Sequence, residues 1–391
     1  MINITDKAKC SGCTACFSIC GKSAISMKAD ALGFLYPVVD CNKCVDCGLC
    51  DKVCAFNDNY ETPDNYNEPK PFAARQLNIQ EVEKSRSGGV FAALSDSILE
   101  EGGVVYGAGF DSAFSVVHKR ADSKAKRDDF RGSKYVQSKL GDVFSQVIKD
   151  LKNGLKVLFS GTPCQTAGLL SLIRLKRIDR TNLFVCDIVC HGVLAPKVWH
   201  DYLQFIEERE QKKITKVHFR DKKFGWRSHI ESFELDNNEV RTYRHTFYQD
   251  IMFRHSCAEC HYTNLRRTGD ITLADFWGWE KTDSEINKDD KGVSLIFVNT
   301  PKGESLFSKI EDKLLVIPTT TDKCLQPNLQ KPSSLHPRRM KFEEDYQKLG
   351  FERTMKKHAI MGWKFYLKNE LNLMQGRIKR MKRRMAKRFG A

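Results

Sequence analysis

Nine of the chain's 15 cysteines fall within its first 54 residues. Cys10, Cys13, Cys16 and Cys20 read C-x2-C-x2-C-x3-C, and Cys44, Cys47, Cys50 and Cys54 repeat that spacing. Two-residue gaps let three thiolates converge on one iron–sulfur cube, while the fourth cysteine of each run reaches the other cube. The pattern predicts two 4Fe–4S clusters with crossed ligation: Cys10, Cys13, Cys16 and Cys54 on one, Cys44, Cys47, Cys50 and Cys20 on the other. Paired zinc knuckles are the competing chemistry, but the runs bring no ligating histidine. Cys41, three residues before the second run, is read as a bystander.

Four later cysteines are candidates for a third site: Cys164 in FSGTPCQTAG, Cys190 in DIVCHGVLAP, and Cys257 with Cys260 in CAECHYTN. The first two stand where the predicted strands KVLFSG and NLFVCDIVC end, the place where α/β folds collect their chemistry. By spacing alone the late pair suits zinc, with His255 or His261, as well as it suits an iron–sulfur cluster. Cys186, on the strand, and Cys324 are expected to be buried or idle thiols.

The elements that must position these residues follow from the apolar patterning. Residues 1–58 form the cysteine-dense head, and 59–71 are a linker in which Pro, Asn and acidic residues replace apolar periodicity. Residues 72–345 alternate short apolar runs with helical ones (GGVFAALSDSILEEGG, VVYGAGF, DVFSQVIKDLKNG, KVLFSG), then turn to the mixed stretches DYLQFIEEREQ, ITKVHFR, HIESFEL and VSLIFVNT. The expected fold class is α+β: a small ferredoxin-like N-terminal domain, a mixed α/β domain, and a C-terminal amphipathic helix.

A chain of 391 residues is long enough for a sizeable core. No run of eighteen apolar residues signals a membrane span. The start MINITDKAKC lacks the apolar region of a secretory signal, so metal-bound thiolates in a reducing cytoplasm are expected rather than disulfides. The formal charge of +15 owes about half its excess to the tail GRIKRMKRRMAKRFGA, with eight Lys or Arg and no acid. In residues 346–391 the stripe Trp363, Leu367, Leu371, Met374, Ile378, Met381, Met385 and Phe389 predicts a basic amphipathic helix. Such a helix suits peripheral contact with an anionic membrane face, a coiled coil, or the protein's own body. Its basic face lacks interleaved aromatics, which argues against nucleic acid.

The head resembles bacterial dicluster ferredoxins over about 50 residues, with Gly21 and Ala55 standing where that family usually has proline. The segments SGGVFAALSDSILEEG, RGSKYVQS, GTPCQTAG, VCHGVLAP, FRDKKFGW and CAECHYTNLRRTGDITLADFWG resemble the coenzyme F420 hydrogenase/dehydrogenase beta-subunit family. That resemblance implies a third 4Fe–4S cluster on Cys164, Cys190, Cys257 and Cys260, and a flavin, FAD rather than FMN, that exchanges hydride with a substrate. The head would deliver or remove electrons through a redox partner protein or a reduced carrier.

Flavin phosphates need backbone donors and a cation. Ser87, Gly88 and Gly89 open an apolar-periodic helix. Ser133, Lys134, Tyr135 and Gln137 offer hydroxyl, cation, ring and amide, and Thr162 and Gln165 flank the cysteine of GTPCQTAG. Arg220, Lys222 and Trp226 are candidates to clamp an anionic or sugar-like substrate, the alternative being a charged hairpin edge. His191, directly after Cys190, is a candidate proton donor or a tuner of the cluster. Asp275, Trp277 and Trp279 are expected at a strand end, the aromatics packing the core. The substrate is expected to be F420-like, or a sugar-linked intermediate of cell-envelope polysaccharide synthesis; a non-catalytic electron-transfer subunit is the alternative.

Overall fold

The computed structural model describes residues 1–57, 65–244, 249–362 and Phe365. The stripe of the C-terminal tail from Trp363 to Phe389 and residues 59–64 of the linker lie outside the described residues. In the head, helix α1 (Ala15–Ile19) carries Cys16, strands β1 (Ile25–Ala29) and β2 (Leu35–Val39) pair antiparallel, and α2 (Leu49–Lys52) carries Cys50. The two cysteine runs share one backbone course. Gly12 and Asp46 have φ of 71° and 47°, and Thr14 and Gly48 have φ of 64° and 70°. Left-handed backbone at matched positions curls each C-x2-C-x2-C into a tight loop, a conformation glycine accepts freely and threonine does not.

The body begins with β3 (Lys70–Gln76), α3 (Ile79–Lys84) and α4 (Val90–Glu100). Next come β4 (Val104–Phe110), β5 (Val116–Ala121), α5 (Lys124–Arg127), α6 (Val143–Lys152), β6 (Val157–Gly161), α7 (Pro163–Leu175) and β7 (Leu183–Ile188). Helix α8 (Pro196–Glu210) leads to a three-stranded antiparallel sheet of β8 (Ile214–His218), β9 (Ile230–Leu235) and β10 (Val240–Arg244). The chain then returns through β11 (Ile271–Asp275), β12 (Ser294–Val298), α9 (Pro301–Ser308), β13 (Leu314–Pro318), α10 (Thr321–Cys324) and α11 (Arg339–Lys357).

Eight strands form one sheet in the order β13-β3-β12-β11-β7-β6-β4-β5. Its centre, β11-β7-β6-β4, is parallel, and antiparallel strands flank it on both sides. Parallel strands are covered on both faces and read as continuous apolar runs. Val157, Leu158 and Phe159 of β6 are accordingly all fully buried. On one face Leu94, Ile98, Leu306 and Phe307 of α4 and α9 cover the sheet. On the other, Phe144, Val147, Leu169 and Leu172 of α6 and α7 share a single core with Ala15, Ile19 and Val53 of the head.

The head is therefore built into the body. Leu32 and Phe34, next to the β1–β2 turn, are fully buried in a further core with Trp199, Tyr202, Phe233 and Phe342. At the seam with α7, a Cβ on Gly168 would stand 2.8 Å from Cys13 Sγ, so glycine is what lets helix and cysteine loop approach this closely. The mixed α/β class read from the sequence is the fold observed. Helix α11 runs across residue 345, where the body was expected to end, with a non-helical Gly350 inside it.

Candidate functional site

All fifteen cysteines are free thiols. Cys10, Cys13, Cys16 and Cys54 line one cleft, enclosing with its mouth about 350 Å³, whose walls include Ile2, Ile4, Ala15 and Phe56. These are the four cysteines of the first crossed set. Burial, with Cys54 close by, pushes the Cys13 thiol up to about 12. A thiol held this far from ionisation becomes a thiolate readily only when a metal takes the proton's place. The side chain of Thr14 lines the same cleft, and its buried Oγ1 has no protein partner. A donor stranded beside four thiols fits a cluster that supplies the acceptor.

The second run lies on the outer side of the head. Cys50 is buried and Cys20 packs beside it, whereas Cys47 and Cys41 are exposed. Backbone N–H groups already point at three sulfurs of the second crossed set: Ile2 N donates to Cys50 Sγ at 3.2 Å, Ala24 N to Cys20 Sγ at 3.3 Å, and Asp46 N to Cys44 Sγ at 3.4 Å.

Cys164, Cys190, Cys257 and Cys260 line a second cleft of about 450 Å³. Three elements deliver them. Thr162 caps α7 in a capping box with Gln165, and Pro163 occupies its first turn, so Cys164 sits at a helix N-terminus, where burial nonetheless raises its thiol and the Thr162 hydroxyl pulls the other way. Cys190 follows the end of β7. Cys257 and Cys260 lie on the turn around His255–Glu259, where Val193 N donates to Cys257 Sγ at 3.4 Å. Burial pushes the Cys257 thiol up to about 11 and the Cys260 thiol up to about 12. Cys190 is raised well above its ordinary value, first by burial and then by its neighbour Cys257.

A buried ion pair joins two of these deliveries. Arg267 Nη2 donates to Asp187 Oδ2 at 3.0 Å, both side chains being buried, and Nη1 donates to Tyr262 O at 2.8 Å. Asp187 also accepts from the hydroxyls of Thr268 and Thr272. Asp187 belongs to the strand that carries Cys190, and Arg267 to the loop that carries Cys257 and Cys260. Their pairing brings these cysteines from separate segments together. Neither residue stood out in the sequence; DIVC and NLRRTGD held the signal only as an acid and a base beside cysteines.

The two clefts share a wall, since Ser11 and Phe56 line both. Cys54, Cys164 and Cys260 pack around Phe56, Ala167 and Tyr262, whose hydroxyl donates to Ala55 O. Gln137, expected at a flavin, instead donates to Ser11 O at 2.8 Å and accepts from Arg254. Among the described residues, no three or more His, Cys, Asp or Glu side chains are placed to hold a single metal ion. His255 Nε2 lies 3.1 Å from Glu343 Oε2, and His261 packs edge-on against Phe56. The two histidines that a late zinc site would recruit thus have other partners.

The remaining expected residues serve the protein's own frame. Ser87 Oγ donates to Val293 O at 2.7 Å, and Gly88 N donates to Ser294 Oγ at 3.0 Å. A Cβ on Gly88 would meet Ala74 O at 2.3 Å, so its smallness serves the adjoining strand. Gly89 caps α4 with φ 83°. Ser133 is exposed, and Lys134 Nζ donates to Asp129 O and Arg131 O, with burial pulling its amine down to about 7. Gln165 Nε2 donates to Ser138 Oγ, which in turn lies 2.9 Å from His118 Nδ1.

Arg220 is buried against Asp275 at 2.5 Å and lies 3.3 Å from Tyr135 Oη. Lys222 donates to the carbonyls of Val82, Ser85 and Ser87, and burial pulls it down to about 7. Trp226 is fully buried and stacks on Trp277 at 4.7 Å. Trp279 packs the core as expected, while Trp277 stays partly exposed. Arg220 and Trp226 thus meet at Trp277, Arg220 Nη2 donating to Trp226 O at 2.9 Å, while Lys222 turns to the Val82, Ser85 and Ser87 carbonyls. Their polar groups hold a hairpin and a strand end in place, because burial demands that each donor find a nearby carbonyl or carboxylate. Of the expected flavin and substrate residues, Thr162 and His191 line the late cleft; His191 is exposed, with its ring edge-on to Phe253 at 5.1 Å.

Clustered free thiols on an α/β frame define a redox class of protein. Residues 154–323 match the family model for the C-terminal part of the beta subunit of coenzyme F420 hydrogenase/dehydrogenase. That segment, a little under half of the chain, is similar to this family and contains the motifs GTPCQTAG, VCHGVLAP, FRDKKFGW and CAECHYTNLRRTGDITLADFWG. Among solved structures it is similar to a chain of the F420-reducing (NiFe) hydrogenase complex from Methanosarcina barkeri, xenon-derivatized. The similarity covers 77% of this chain and 93% of that one, at 17% identity and a TM-score of 0.46. No curated protein matches the chain.

Proposed function

We propose that the chain is an iron–sulfur oxidoreductase that carries electrons between a partner protein or reduced carrier at its head and a substrate at its body. Cys10, Cys13, Cys16 and Cys54 would hold one 4Fe–4S cluster, Cys20, Cys44, Cys47 and Cys50 a second, and Cys164, Cys190, Cys257 and Cys260 a third. When bound, such clusters supply one-electron transfer, and a flavin supplies the exchange between single electrons and hydride. The observation that carries this reading is the wall shared by the two cysteine-lined clefts.

Behind that wall Phe56, Ala167 and Tyr262 form an apolar cluster against which Cys54, Cys164 and Cys260 pack, joining the two sets of thiols. Exposed Cys47 and Val45 put the second set on the outside, where a partner protein would meet it. Gly168 keeps α7 and the head in contact.

The flavin is supported by the family and not by free donors. The side chains expected to hold it are engaged internally, apart from exposed Ser133, and no step is drawn through it. That engagement favours a second reading, a non-catalytic relay subunit of a larger redox complex. The finer expectations belong here too: an F420-like or sugar-linked substrate, a cytoplasmic setting, and a basic tail on the inner membrane face. No helix among the described residues is long and apolar enough to cross a membrane.

Anaerobic purification followed by iron, sulfide, zinc and flavin analysis of one sample tests the reading. Three clusters require about twelve irons per chain. About eight irons with bound zinc would sink the late cluster. Twelve irons without flavin, and no absorbance change with F420, a nucleotide sugar or a polyprenol-linked sugar, would select the relay.

A further inference from the structure

Arg254 is 1% exposed, and among the described residues it has no carboxylate partner. Its guanidinium donates to Cys10 O at 2.8 Å, Leu35 O at 2.9 Å and Gln137 Oε1 at 2.8 Å, and Nη2 lies 3.7 Å from Cys10 Sγ. It stacks over the Tyr36 ring at 4.2 Å. The same side chain lines the late cleft with Cys164, Cys190, Cys257 and Cys260. A Cβ on Gly12 would stand 2.9 Å from Nη1, so the first cysteine loop is moulded around it.

A buried cation is costly unless opposite charge is near. Three neutral acceptors satisfy the hydrogen bonds of Arg254 but leave its charge uncompensated. The carboxylates that act on the same Tyr36 ring, Asp30 and Glu343, are paired with Lys7 and Arg339, so among the described residues the groups left near Arg254 that can become anionic in number are the two sets of cysteines. Cluster potentials respond to net charge and to hydrogen bonds at the sulfurs.

We infer that Arg254 is a positioning residue shared by the first and third clusters, a fixed positive charge that raises the reduction potential of both and leaves the second cluster untouched. The inference rests on the proposed three-cluster reading. Each reduction adds one electron and one negative charge to a cluster, and a cation at the boundary favours that step on both sides. A charge shared in this way raises both potentials together, so the step an electron meets at the Phe56 wall is little changed by it.

The test is a potentiometric titration of the full-length, cluster-loaded protein followed by electron paramagnetic resonance. Arg254→Gln removes the charge. Gln137→Glu keeps Arg254 in place and pairs it with an isosteric carboxylate at the 2.8 Å contact. In both variants two of the three midpoint potentials should move to more negative values while the third stays put, and Arg254→Lys should restore most of the shift. If Arg254→Gln fails to fold, Gln137→Glu decides alone. Twelve irons with all potentials unmoved, or a Lys variant that shifts as far as the Gln variant, would overturn the role of Arg254 and leave the electron path standing. Eight irons in the unaltered protein would overturn both.

Discussion

In the head, each run of three cysteines lies within seven residues of chain, and its backbone follows the same left-handed turns in both copies. In the body, the four late cysteines arrive from a helix N-terminus, a strand end and a turn, and a buried Asp187–Arg267 pair holds the last two deliveries together. A site made by local chain geometry depends little on distant contacts. A site assembled from remote segments is only as ordered as the contacts that join them, and its failure should leave the local sites intact.

The largest effect should come from breaking that assembly. Arg267→Met strands the Asp187 carboxylate in the core, which costs about 3–5 kcal/mol. Iron analysis should then show the third set lost and both head sets kept; loss from the head instead would erase the contrast between the two regions.

The next effect follows pH. Burial lowers the His118 imidazole from 6.5 to about 4. Below 6.5 the unfolded chain takes up the proton first, so the folded state loses stability as pH falls from 6.5 towards about 4 and is unaffected above that window. His118 reaches the cap that carries Cys164 through Ser138 and Gln165. Urea unfolding of His118→Gln should lack about 2 kcal/mol of the wild-type decline between pH 7 and pH 5. A variant with the full wild-type decline would remove His118 from the pH response.

Gly168→Ala probes the seam between the regions. Its methyl would meet Cys13 Sγ at 2.8 Å. The overpacking should outweigh the better helix propensity of alanine and leave a net loss of about 1 kcal/mol. The iron deficit should be confined to the first head set, and a stabilised protein would mean that the seam is looser than described. Smallest of all, Lys9→Ala removes the Glu259 ion pair, whose side chains are 62% and 44% exposed. Thermal unfolding should register no more than about 0.5 kcal/mol, since solvent screens such pairs.

The head was legible because an iron–sulfur loop is short: spacing and local turns together prescribe which cysteines share a cleft. The four cysteines that the spacing assigned to the first crossed set, Cys10, Cys13, Cys16 and Cys54, line one cleft. The strands and helices that carry Cys164 and Cys190 were legible from apolar patterning. Cys186 and Cys324 are the buried thiols they were expected to be.

Less could be read where polar residues were concerned. Lys222, Arg220 and Gln165 have the right chemistry for a ligand, and in the fold they bond to Val82 O, Asp275 and Ser138. Sequence shows which groups a residue can offer but not which buried carbonyl will claim it first. Arg254 and Arg267 drew no reading from the sequence and are among the most buried side chains of the described residues.

By itself, then, the sequence determined the donor chemistry, the two local cysteine loops and the alternation of strands and helices, all of which depend on neighbours within a few turns of chain. Only the tertiary structure decided that the head is built into the sheet's covering layer, that its first run faces the late cysteines across Phe56, and that Arg254 stands between them. Those facts depend on contacts between residues hundreds of positions apart, and such contacts are set by how cores close and not by local preference.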